Sequence, residues 1–136
     1  MDLVKAWAAA VVMFLVGNIL VGWITVAGAG AEAVEPGSMT HYMWSLIPTF
    51  VLYLLTAALG ALFHRGAGSA ARHVAAVLGV PAVALVVSTV GYLAAGGSTV
   101  IDTFTSIVVA VLGAVAGWQA VDRLRPSENA QRDAYF

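Results

Sequence analysis

Residues 42–63 read YMWSLIPTFVLYLLTAALGALF, and no charged side chain interrupts them. A helix needs about 20 apolar residues to cross roughly 30 Å of hydrocarbon, and this run has that length. Three further runs share its character: one at about 3–27, one at 74–95 (VAAVLGVPAVALVVSTVGYLAA) and one at about 100–121 (VIDTFTSIVVAVLGAVAGWQAV). None shows the alternation of a barrel strand, and lipid admits only helices or closed barrels. The expected fold is therefore an all-α integral membrane protein. Its four transmembrane helices form an antiparallel up-down bundle.

Composition points the same way. Of 136 residues, 61% are hydrophobic and 10% charged, and mean hydropathy is +0.92. A soluble domain carries about 25% charged residues, so for much of this chain the solvent is lipid. The net charge of −1 provides no basic patch for phosphates, which argues against nucleic acid as a partner. No cysteine is present, which excludes disulfides, thiolate metal sites, iron–sulfur clusters and Cys nucleophiles.

The six basic residues are Lys5, Arg65, Arg72, Arg123, Arg125 and Arg132. With the N-terminus in the cytoplasm, four crossings return the C-terminus there, and all six fall on the cytoplasmic side. The opposite loops carry Glu32, Glu35 and His41, then Asp102. This is the positive-inside pattern, and it predicts an N-in/C-in protein of a bacterial-type plasma membrane. Trp7, Trp23, Trp44 and Trp118 lie near helix ends, where amphipathic rings anchor at the interface. The first run exceeds the 7–15 residues of a usual signal-peptide core, so it is expected to be a retained helix. Residues 1–125 form one transmembrane domain, and 126–136 a polar tail.

Polar groups inside the runs are distributed unevenly. Asn18 and Tyr53 fall near the midplane. Thr25, Thr49, Ser88, Thr89, Tyr92, Thr103, Thr105 and Ser106 fall in the outer half, whereas the inner half holds mainly Thr56 and Gln119. One reading is an outward polar vestibule ending near Asn18 and Tyr53, with Ser88 and Thr105 as further ligand-binding groups. The plainer reading is that the hydroxyls bond back to their own helices. Asn18 is too costly to leave unsatisfied in hydrocarbon. Its expected partners are Tyr53, Ser88 or a carbonyl exposed near Pro81. Pro48 and Pro81 each remove a backbone donor and are expected to kink their helices.

Small residues let membrane helices approach closely. Gly17 and Gly22 flank Asn18, and Gly113 and Gly117 form a GxxxG; both sets are candidates for helix or subunit packing. The acidic residues and histidine at the outer face (Glu32, Glu35, His41, Asp102) match no metal-site spacing, and Asp102 is explained more simply as a helix N-terminal cap. At the inner face, Arg65 and Arg72, with His64 and His73, are expected to meet anionic lipid headgroups. No cofactor or resident metal is expected. No nucleophile elbow, phosphate loop, zinc helix or pair of buried carboxylates appears, so the chain reads as non-enzymatic. The first expectation is an accessory or assembly subunit of a larger membrane complex, partnered by lipid and by other membrane subunits or copies of itself. The alternatives are a small transporter, channel or ligand-binding protein built around the vestibule, and a holin-like pore former.

Overall fold

A computed structural model describes residues 2–29, 38–64, 70–96 and 99–124. All four elements are helices: α1 (Asp2–Ala29), α2 (Met39–Phe63), α3 (Ala70–Ala95) and α4 (Val100–Leu124). Each is long and apolar enough to cross a membrane. The helices outrun the apolar stretches that announce them. Ser38 caps α2, its hydroxyl accepting the His41 N–H at 3.0 Å, so the helix starts three residues before Tyr42. α3 takes in Arg72 and His73, and α4 takes in Asp122 and Arg123. A charge ends the hydrocarbon crossing without ending the helix. At the end of α3, Gly96 turns the chain at φ 66°, a conformation that only glycine adopts cheaply. The tail at 126–136 lies outside the described residues.

α2 is the hub, packing against each of the other three helices, while the backbones of α1 and α4 do not approach closely among the described residues. The core is built of small side chains. Ala57, Ala61, Ala76, Ala110 and Ala114 are buried, and the largest fully buried residues are Val77 and Thr56. Many large apolar residues, such as Ile19, Leu93, Ile101 and Phe104, are exposed. This inverts a soluble protein and suits a lipid solvent, where burying a leucine gains little and close backbone approach gains dispersion.

The closest approach joins α2 and α4. A Cβ added at Gly113 would stand 2.5 Å from the Phe50 carbonyl oxygen, and one at Gly117 would press into the Leu54 carbonyl. The GxxxG pair therefore packs within the chain. Gly17 is buried against Leu52, whereas nothing lies within 4 Å of the Gly22 position. At the end where α2 finishes, Gly60 lets the Val77 backbone of α3 come close.

Both prolines lie within helical spans. Pro48 has no N–H to give the carbonyl four residues earlier, which belongs to Trp44. The Thr25 hydroxyl of α1 donates to that carbonyl at 3.4 Å. The freed acceptor thus becomes an interhelical tie, and it is made at Pro48 rather than near Pro81.

Candidate functional site

Where α1 and α3 end and α2 and α4 begin, polar side chains converge. α4 is capped by Thr99, whose hydroxyl accepts the Asp102 N–H at 3.1 Å and donates to Asp102 Oδ2 at 2.6 Å. The other carboxylate oxygen accepts the Tyr42 hydroxyl at 3.2 Å. Asp102 was expected to be the cap itself. Thr99 performs that role, and the carboxylate instead joins the first turn of α4 to that of α2. The His41 ring packs edge-on against Tyr42, with centroids 5.9 Å apart.

Next to this polar junction a partly open cavity of about 280 Å³ penetrates between the helices. All four helices contribute to its wall: α1 with Phe14 and Asn18, α2 with Thr49 and Tyr53, α3 with Ser88 and Tyr92, and α4 with Asp102 and Ser106. Leu52, Leu85 and Ile107 supply apolar wall between them. The Tyr53 ring meets Phe14 edge to face at 5.6 Å, and its hydroxyl stands beside Ser88.

Of the four residues expected in a vestibule, Asn18, Tyr53 and Ser88 line this cavity and Thr105 does not. Thr105 donates to the Ile101 carbonyl at 2.8 Å in its own helix, while Thr103 and Ser106 take the lining positions of α4. Asn18 also differs from expectation. Its side-chain amide donates at 2.9 Å to the Phe14 carbonyl, one turn back in α1, and not to Tyr53, Ser88 or the Pro81 region. A back-bond inside the helix satisfies one amide proton and leaves the rest of the group at the cavity wall. His41 and Asp102, read as part of an outer cluster, both line the cavity; Glu32 and Glu35 lie outside the described residues. Phe14 has no polar atom to draw attention in the sequence. It is found through its place on the cavity wall and its ring contact with Tyr53.

The opposite end of the bundle carries a second cluster. His64 is buried, its ring 5.5 Å from that of His73, which in turn lies 6.4 Å from Trp118. His73 Nε2 is 3.4 Å from the Asp122 carboxylate. These histidines face protein, which corrects their reading as headgroup contacts. Arg72 is exposed, and Arg65 lies outside the described residues. Among the described residues no group of three or more His, Asp or Glu is arranged to hold a metal ion. Compared with protein-family models, with curated proteins and with solved structures, the chain finds no match, so its function is read from the chemistry of the cavity alone.

Proposed function

We propose that this multi-pass membrane protein is a non-enzymatic binder or carrier of a small solute, with the interhelical cavity as its site. The observation that carries the reading is convergence. All four helices send polar or aromatic side chains into one opening of about 280 Å³. That is near the lower bound of ligand sites, about 300–1,000 Å³, which combine apolar walls with a few placed polar groups. The arrangement of basic residues supports N-in/C-in insertion, with the cavity on the non-cytoplasmic side.

The other half of the bundle is closed by alanine, glycine and Val77, which favours a blind site over a continuous channel or a holin-like pore. The accessory-subunit reading draws on small-residue stripes, but Gly113 and Gly117 are engaged by α2, which leaves the cavity as the better-supported feature.

The chain has no native cysteine, so single thiols report cleanly. Ser88→Cys and Ser106→Cys should react with a membrane-impermeant maleimide added from the non-cytoplasmic side. Val83→Cys and Val86→Cys, on lipid-exposed positions, should not, because a thiol in hydrocarbon does not ionise. If both serine positions stay unlabelled, the cavity is not a solvent-open site and the proposal fails.

A further inference from the structure

We propose that the cavity selects a small organic cation, an amine carrying a short apolar or aromatic body. The inference rests on the cavity being a ligand site.

The first argument concerns protons. Asn18 donates to the Phe14 carbonyl and Thr49 to Ser45 at 2.7 Å. Tyr42, outside the lining, gives its proton to Asp102, which does line it. A hydroxyl that has donated its one proton presents lone pairs, and a carboxylate presents nothing else. Asn18 keeps its carbonyl oxygen and one amide proton. Asn18, Thr49 and Asp102 therefore turn acceptor oxygens to the cavity, beside hydroxyls such as those of Ser88 and Ser106 that donate or accept, and a ligand with N–H donors matches them. A neutral apolar solute would bring no donor to these oxygens, and an anion would be repelled by the Asp102 carboxylate.

The second argument concerns charge. Among the described residues, Asp102 is the only carboxylate on the lining, and no lysine or arginine lies there. His41 is the one basic side chain among the described lining residues. Two helices begin at this end and two finish, so their dipoles oppose one another, and the side chains set the sign of the field. The third argument is shape. Phe14, Tyr53 and Tyr92 present aromatic rings, which attract a desolvated cation, while Leu52, Leu85 and Ile107 accept its apolar part. Together these features describe an ammonium ligand: charge toward Asp102, donors toward the hydroxyls, body against the rings.

The test uses the full-length chain in liposomes at about pH 8, where cysteine thiols react readily. Ser106→Cys is labelled with trimethylammonium-ethyl methanethiosulfonate and, separately, with its sulfonate analogue. Each rate is divided by the rate at Thr40→Cys, an exposed control on the first turn of α2. The normalised cation:anion ratio should reach about 10 or more, as expected for a probe next to one poorly screened carboxylate. Asp102→Asn, which leaves Thr99 as the cap, should bring the ratio near unity. In the otherwise unchanged Ser106→Cys protein, millimolar benzylammonium should slow labelling by a neutral maleimide, and benzoate should not. Equal normalised rates, or equal protection by benzylammonium and benzoate, overturn the cation assignment while leaving the cavity as a site. A ratio that survives Asp102→Asn overturns the role given to that carboxylate. Failure of the charged reagents and the neutral maleimide alike overturns the site and the inference together.

Discussion

Asn18 shows how a single polar residue is accommodated in an apolar helix. Its amide bonds the Phe14 carbonyl of its own turn, so α1 carries it without help from another helix. Asn18→Leu should therefore change the unfolding free energy in mixed micelles by less than about 1 kcal/mol, in line with the modest worth of polar bonds in membranes. A loss beyond about 2 kcal/mol would reveal an interhelical partner and contradict the geometry. The consequence belongs to the cavity, where leucine removes an acceptor from the wall. Asp102 is different, since its two oxygens hold Thr99 and Tyr42 and so couple two helix starts. Tyr42→Phe removes one of those ties and should cost about 0.5–1.5 kcal/mol by the same measurement.

At the scale of helices, approach distance governs. Gly117→Ala would press a methyl into the Leu54 carbonyl, with backbone on both sides and nothing flexible to yield. It should destabilise by about 1–3 kcal/mol, as overpacked cores do. Gly22→Ala meets nothing within 4 Å and should be neutral or slightly stabilising, because alanine favours a helix more than glycine does. Thermal shifts of the purified variants in one detergent compare the two directly, and equal losses would refute the α2–α4 packing described here. The Thr25–Trp44 tie makes a second element-level claim. Thr25→Val should cost about 0.6–1 kcal/mol in the native chain. In a Pro48→Ala background that cost should vanish, because residue 48 then supplies the Trp44 carbonyl with its ordinary helical donor. An undiminished cost in the double variant would detach Thr25 from the proline.

For the whole molecule, the segregation of charge governs. Lys5, Arg72 and Arg123 lie at the end opposite the cavity, and moving cations across lipid during insertion is expensive. Alkaline phosphatase fused at the C-terminus should be inactive, whereas the same enzyme inserted after Val34 should be active. The reverse pattern would turn the bundle over and place the cavity in the cytoplasm. The bundle also explains why the cavity lies where it does. Small side chains seal the half containing Gly60, Val77 and Ala114, and the larger polar and aromatic residues at the other end hold the helices apart.

The sequence by itself determined the four helices apolar and long enough to cross a membrane, the sidedness expected of the loops and the polar bias of one half. Those properties follow from composition and from order along the chain: an uncharged run such as 42–63 has few other places to go, and a cation stays where insertion is cheap. Only the tertiary structure decided which polar residues share a space. Thr103, Thr105 and Ser106 are indistinguishable by depth, but Thr103 and Ser106 turn toward the cavity and Thr105 does not, because rotation about a helix axis is set by packing. In α4 the Gly113 and Gly117 contacts with α2 fix that rotation. The same packing took His64 and His73 from the headgroups into the protein, for membrane helices have few hydrophobic cues to orient them, and close contact between backbones supplies the rest.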